Sequence, residues 1–364
     1  MAVLKNASVL VTGACGTIGR ELINQLLSDK VNSPTKVIGL DNSEEELFFL
    51  DQEYLDDARA RFFVADVRDR GALSRLMTGV NVVFHAAALK HVILSERSPD
   101  QAVQTNILGV QNIIAAAHDT GVNRVLFTSS DKAVNPTSVM GTSKLMGERL
   151  MTAANSELSA GGTIFASTRF GNVLGSSGSV VPIFHRQIAD GGPVTITDNE
   201  MTRFVMSISQ AVRLVLDSAE LARGGEVFIT KMPVIRIQDL AEVMIAEMAP
   251  RHGHKASSID VTTIGVKPGE KLYEELMSLE ETRRAVELEH YFSVLPAFRG
   301  IYSEIGYDYE GVISTTGIRP YTSTNEIPVS RSGVKMMLES NNLLSASFEG
   351  AASRYWPGDK EEKA

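Results

Sequence analysis

The chain has 364 residues, 43% hydrophobic and 22% charged, which is ample for a large core and excludes a disordered or collagen-like polypeptide. Its formal charge of −9, from 35 Lys and Arg against 44 Asp and Glu, opposes broad binding to nucleic acid or anionic lipid. A single cysteine, Cys15, excludes an internal disulfide framework and a cysteine-based zinc site.

From the N-terminus, short β-rich runs alternate with helical stretches. Strands are predicted at 8–12, 36–40, 61–65, 80–85, 124–129 and 163–169, and helices at 18–27, 44–54, 70–77, 99–118 and 137–155. In the fourth helix Val103, Ile107, Val110, Ile113 and Ile114 recur every three or four positions, which predicts one buried face. This alternation is the signature of an α/β fold, a Rossmann-type doubly wound parallel sheet with helices on both faces. After Phe170 the regularity breaks into a Gly- and Ser-rich loop at 171–181, then a strand at 226–230, a helix at 238–248 and a strand and turn at 261–270. The last 80 or so residues read as irregular. The expected division is a first domain at 1–170 plus about 205–235, a smaller part at about 171–204 and 236–350, and a polar tail at 351–364. No apolar run reaches the roughly 18–20 residues needed to cross a bilayer. The first strand begins so early that no room is left for a signal peptide. A cytoplasmic protein with no membrane partner is expected.

The first strand runs into VLVTGACGTIG (9–19). Gly13 permits a tight turn, Gly16 lets backbone N–H groups approach a pyrophosphate, and Gly19 allows helix and strand to pack closely. An acid, Asp41, ends the second strand 22 positions after Gly19, close to the spacing of a carboxylate that grips a ribose 2′-hydroxyl. An acid there repels a 2′-phosphate, and Asp41–Asn42–Ser43 contains no arginine, so NAD is favoured over NADP. Cys15 reads as a small loop residue. Asp66 after the third strand either meets the adenine or is a solvated strand-end acid.

The most informative stretch is SSDKAVNP (129–136), followed by MGTSK (140–144). TGxxGxxG with Lys144 placed like the lysine of a YxxxK motif resembles the extended short-chain dehydrogenase/reductases. Within that superfamily SSDKAVNP, HAAALKHV (85–92), RFGNVLGSSGSVVP (169–182), TDNEMTRF (197–204) and KPGEKLYEE (267–275) resemble the UDP-N-acetylglucosamine 4,6-dehydratases. The blocks run in order over about three quarters of the chain.

The resemblance implies a lyase that oxidises sugar C4, removes the C5 proton, expels the C6 hydroxyl as water and returns hydride to C6. It makes Asp131 the acid at C6, Lys132 the base at C5, and Ser130 a hydroxyl that bonds the 4-oxygen. Lys144 would hold the nicotinamide ribose. One departure stands out: the superfamily's tyrosine is replaced by Met140, and a thioether cannot act as a base. The C4 proton must then leave through Asp131, Ser130 or a water. The same change argues against the alternative of a 4-epimerase, which depends on that tyrosine.

The implied cofactor set is Gly13, Cys15, Gly16, Thr17, Ile18 and Gly19 of the turn, Asp41, Asn42 and Ser43, Asp66 and Val67, Ala86 and Lys90 past the fourth strand, and Lys144. The implied UDP-sugar set is Lys90, Ser130, Asn172, Ser179, Val180, Thr195, Arg203, Lys267 and Glu270, with Lys267 where the family more often has Arg. No metal-ligand spacing occurs among the seven histidines. A homo-oligomer formed through the helices at 99–118 and 137–155 is expected. A reading from another class, a catalytically silent NAD-binding sensor, predicts a decayed proton-transfer set, whereas Asp131, Lys132 and Lys144 all stand.

Overall fold

The computed structural model describes residues 2–29, 31–157, 162–176, 178–265, 269–298 and 305–345; Lys267 and the expected tail at 351–364 lie outside them. Packing divides the chain into two units. One comprises 1–171, 209–232 and 274–322, and the other 172–208, 233–273 and 323–364.

The first unit is built on β1 (Ser8–Thr12), β2 (Lys36–Asp41), β3 (Ala60–Val64), β4 (Val82–His85), β5 (Arg124–Ser130) and β6 (Ile164–Phe170). They lie parallel in the order 3-2-1-4-5-6, and the strand Val227–Thr230 joins β6 in parallel. The central strand β1 is a continuous apolar run, every residue of Val9–Leu10–Val11 fully buried, whereas the edge strand β3 is largely exposed. Parallel alignment puts Thr12, Asp41, His85 and Ser130 at one carboxyl edge, where ligands bind in such sheets.

The structure departs from the expected pattern in two places. The stretch from 285 is not irregular: Tyr291–Val294, Ala285–Leu288 and Val312–Ser314 extend the same sheet in antiparallel fashion to ten strands. Residues 274–322 therefore fall with the parallel sheet, while the sequence division had placed all of 236–350 elsewhere. Antiparallel partners this far along the chain leave no local periodicity to find.

The second departure is in the helix predicted at 99–118. It holds a π-helical turn, Val103–Leu108, between Pro99–Ala102 and Gly109–Thr120. The wider turn shifts the phase of the stripe. Val103 becomes exposed and Ala102 and Asn106 are buried in its place, while Val110 and Ile113 are buried as the stripe predicts.

The second unit contains a three-stranded sheet (Val234–Arg236, Thr202–Met206, Asn172–Val173) and a parallel pair, Val194–Ile196 with Val261–Thr263. The helices Val180–Ala189, Ile237–Met248 and Arg331–Ser340 close its core around Val181, Phe184, Leu240, Met244 and Leu338.

Candidate active site

The glycine turn has the shape a dinucleotide pyrophosphate needs. Gly13 adopts φ +68°, and a Cβ there would lie 2.7 Å from the Ala87 nitrogen; a Cβ on Gly19 would lie 2.0 Å from the Gly13 carbonyl. Gly16 begins the helix Thr17–Ser28, and no side chain caps that helix. Its first-turn N–H groups are therefore open to an anion. At the end of β2 the Asp41 carboxylate accepts from the Cys15 N–H at 3.0 Å and the Ser43 N–H at 3.1 Å, tying the turn to the strand. Burial, reinforced by Asp41, pushes the Cys15 thiol up to about 12, so it stays protonated and unreactive. Asp66 is paired with Arg68 at 2.6 Å, a partner the sequence reading had not given it. Val67 packs under Gly109, whose added Cβ would lie 3.0 Å from it.

Past β4, Ala86 donates to the Thr12 carbonyl. The following loop, with Lys90 exposed on it, is held by Asn106: its amide accepts from Leu89 N–H at 2.8 Å and donates to the Leu89 carbonyl at 3.0 Å. The π-turn thus presents an asparagine that pins the loop. Register sets His85 between Thr12 and Phe127. The ring is wholly buried, with Nδ1 2.7 Å from Thr12 Oγ1 and no partner for Nε2 among the described residues. Burial and the nearby Lys144 charge hold this imidazole down to about 3.

β5 ends in a single turn, Asp131–Ala133, that brings a hydroxyl, a carboxylate and an amine together. Ser130 Oγ donates to Asp131 Oδ1 at 2.9 Å and also accepts the Lys132 N–H at 3.0 Å. Lys132 Nζ lies 2.9 and 3.2 Å from the two Asp131 oxygens. Asp131 is only 5% exposed. Burial works to raise its carboxyl, but the Lys132 ammonium and hydrogen bonds from Lys132, Ser130 and Glu274 outweigh it and leave the group below the usual range.

Glu274 was missed in the sequence. It sits 3.7 Å from Lys132 Nζ, on the same ammonium that Asp131 holds at 2.9 Å. The signal available was the acidic pair closing KPGEKLYEE, just before the buried Leu276–Met277.

The helix Val139–Ala153 backs this turn. A Cβ on Gly141 would stand 2.2 Å from the Lys132 carbonyl, so only glycine permits the approach. Met140 beside it is buried, with no proton to give or take. One turn on, Lys144 Nζ donates to the Thr128 carbonyl at 2.8 Å and lies over the Phe127 ring. Burial brings its ammonium down to about 8, against the opposing pull of Glu148.

Behind these groups, buried Arg169 donates to both oxygens of Glu148, both oxygens of Glu281 and the Leu276 carbonyl, at 2.7–3.0 Å. Burial alone would raise Glu281, but Arg169 draws it down to about 2. The triad joins the helix Val139–Ala153, β6 and the segment that begins with Glu274.

In the second unit, Asn172 Nδ2 donates to the Phe204 carbonyl at 3.1 Å. Ser179 precedes the helix that Val180 starts, and its Oγ is buried with no partner among the described residues. Thr195 exchanges two hydrogen bonds with Gln187. Arg203 is 8% exposed and holds a turn: it donates to the carbonyls of Thr202, Lys271 and Leu272 and lies 3.4 Å from Glu270. Its visible work is to shape that turn rather than to present a free fork.

The protein is 50% identical to an uncharacterized membrane protein of Methanocaldococcus jannaschii, over 80% of this chain and 86% of that one. Among the described residues of this chain, no helix is long and apolar enough to cross a membrane. It is 38% identical to a UDP-N-acetylglucosamine 4,6-dehydratase (inverting) of Campylobacter jejuni over 80% of this chain and 84% of that one. A UDP-glucose 4-epimerase of Rickettsia rickettsii is 35% identical over 94% and 98%. The crystal structure of Pen from Bacillus thuringiensis superposes with a TM-score of 0.85 at 38% identity, covering 94% of this chain and 99% of that one. The polysaccharide biosynthesis protein family matches residues 9–296, and the chain belongs to that family.

Proposed function

We propose that the protein is an NAD-dependent nucleotide-sugar 4,6-dehydratase that converts UDP-N-acetylglucosamine to a UDP-4-keto-6-deoxy-hexosamine. The observation that carries this reading is the Ser130–Asp131–Lys132 turn: a hydroxyl bonded to a carboxylate, the carboxylate bonded to an amine, and a thioether where a tyrosine would serve. The C. jejuni relative named for the same reaction supports it.

The glycine cradle and uncapped helix fit the cofactor pyrophosphate, and the Asp41 carboxylate favours a ribose 2′-hydroxyl over a 2′-phosphate. Those residues would hold NAD, which would supply a hydride acceptor for C4 and the hydride returned at C6. Asn42, Ser43, Thr17, Ile18 and Val67 are assigned to the same cofactor, and Lys144 to the nicotinamide ribose.

The protein's own groups manage the protons. With Met140 inert, the C4 hydroxyl proton passes to Ser130 Oγ while Ser130 passes its own to Asp131. Lys132 removes the C5 proton, which the C4 ketone has acidified. Asp131 then protonates the C6 oxygen, which leaves as water, and Lys132 returns a proton to C5. Lys132 must be neutral when it acts, to have a lone pair for the C5 proton. We assign Lys90, Asn172, Ser179, Val180, Thr195, Glu270 and Lys267 to the UDP-sugar, with Arg203 shaping the turn that carries Glu270. Association with a second copy is assigned to the helices bearing exposed Val103, Leu108 and Met146.

The epimerase reading draws support from the R. rickettsii relative. Epimerisation oxidises and re-reduces C4 alone, however, and leaves Lys132 without a task. Incubation with UDP-N-acetylglucosamine in deuterium oxide, followed by proton NMR, separates the two. Dehydration gives a new C6 methyl signal with deuterium at C5; a spectrum showing only the C4 epimer overturns the proposal.

A further inference from the structure

The backbone of Lys132 is fixed, but its side chain is held only by what touches the amine. Its N–H bonds Ser130 Oγ at 3.0 Å, and the close pass of Gly141 clamps its carbonyl. Beyond the Cα runs a flexible four-carbon stem, and the side chain is 39% exposed. Two carboxyl groups lie against the amine: Asp131 Oδ2 stands 2.9 Å from Nζ, and Glu274 Oε1 stands 3.7 Å from it.

Asp131 precedes Lys132 in the chain and moves with the same turn, whereas Glu274 touches the amine from a separate and rigid segment. Glu274 is only 4% exposed. Glu275 accepts from Asn135 Nδ2 at 2.7 Å, the Leu276 carbonyl accepts from Arg169 at 2.9 Å, and Glu275–Met277 pairs with Tyr321–Thr322. The Ser278 N–H and Oγ donate to Glu281 at 2.9 and 3.1 Å, within the buried Arg169 triad. A neutral amine carries its lone pair opposite its three bonds. One contact leaves it free to swing about that contact; a second, from an independent segment, leaves the lone pair a single heading.

We propose that Glu274 is a positioning residue that, together with Asp131, holds the Lys132 amine so that its lone pair meets the hydrogen on C5. The inference rests on the dehydratase reading. In the step it serves, the C5–H bond breaks, the proton forms a new N–H bond on Lys132, and the electron pair passes into the C4 ketone as an enolate. Glu274 exchanges no proton and touches no substrate. Its effect therefore falls on the removal of the C5 proton and not on the oxidation of C4, which Ser130 and Asp131 serve.

The test is Glu274→Gln in the full chain with NAD and UDP-N-acetylglucosamine, followed at two steps. Absorbance of the reduced cofactor reports C4 oxidation, and the C6 methyl signal in proton NMR reports completed dehydration. Dehydration should slow about 10²-fold, the cost of about 1 Å of misplacement, while C4 oxidation stays within about twofold of wild type and KM is little changed. Reduced cofactor should then accumulate, and deuterium at C5 should slow turnover by a larger factor than in wild type. An equal loss at both steps, or no loss, overturns the inference. Glu274→Asp keeps the carboxyl but withdraws it by one methylene, and it decides the matter if Glu274→Gln does not fold. A smaller loss with the same split is expected, and wild-type kinetics overturn the inference. Acetylation of Lys132 by acetic anhydride, read by mass spectrometry, tests the contact without turnover: Lys132 should react several-fold faster in either variant, and equal rates overturn the inference. If wild type releases no water from the sugar while that difference is present, the dehydratase reading fails and the hold of Glu274 on Lys132 stands.

Discussion

Two clusters in this protein have the same make-up, one cation between two carboxyl groups, and behave in opposite ways. In Arg169–Glu148–Glu281 every side chain is at most 7% exposed, and all five guanidinium donors are spent at 2.7–3.0 Å. In Asp131–Lys132–Glu274 the carboxyls are equally buried, but the lysine is 39% exposed and stands 3.7 Å from one of its two partners. A planar fork with five fixed donors saturates its partners and makes scaffold. A compact ammonium on a flexible stem leaves protons free to move, and that is what acid–base chemistry requires. The first cluster holds the segment that delivers Glu274 to the second.

The contrast can be broken from either side. Lys132→Met should lower kcat by about 10²–10⁴-fold, the usual worth of a general base. Comparable activity in this variant would remove Lys132 from the mechanism. Arg169→Met should do the reverse and act on stability, at a cost of about 3–5 kcal/mol in denaturant unfolding, because two buried carboxylates lose their counter-charge. A variant as stable as wild type would show the triad to be idle.

Ser130→Ala is smaller and sharpens the chemical side. It interrupts the route from the C4 hydroxyl to Asp131, and we expect C4 oxidation, read as absorbance of the reduced cofactor, to slow about tenfold with substrate affinity kept. An unaltered rate would assign the proton to water.

The smallest effect concerns pH and stability. His85 is held at about 3 in the fold against 6.5 when unfolded, so the unfolded chain takes up a proton first and stability falls as pH drops below 6.5. Glu281 acts in the same direction lower down, between 4.5 and about 2. His85→Gln should flatten the loss between pH 6.5 and about 3 and leave Glu281's share below 4.5; an unchanged slope in urea titrations would exclude His85 as its source.

Much of this was legible in the sequence because it is local. Parallel strands buried on both faces write continuous apolar runs, the glycine turn writes its own spacing, and Ser130, Asp131 and Lys132 are neighbours in the chain. What was hidden depends on distant pairing. Nothing local marks Tyr291–Val294 and Ala285–Leu288 as extensions of the main sheet. The π-turn is invisible to a stripe read at constant pitch, so Val103 was placed inside when it lies outside. Arg169 was seen only as part of a motif, since its partners come from a helix before it and a segment more than a hundred positions after it. Glu274 escaped for the same reason.

The central claim is that hydrogen leaves C4 and returns to C6 of the same sugar while Asp131 and Lys132 handle the protons. Its most direct test is to supply UDP-N-acetylglucosamine carrying deuterium at C4 and to read the product by NMR and mass spectrometry. The account predicts a product lighter by one water, with the deuterium in the C6 methyl group. Deuterium retained at C4 in a sugar that has lost no water would contradict it.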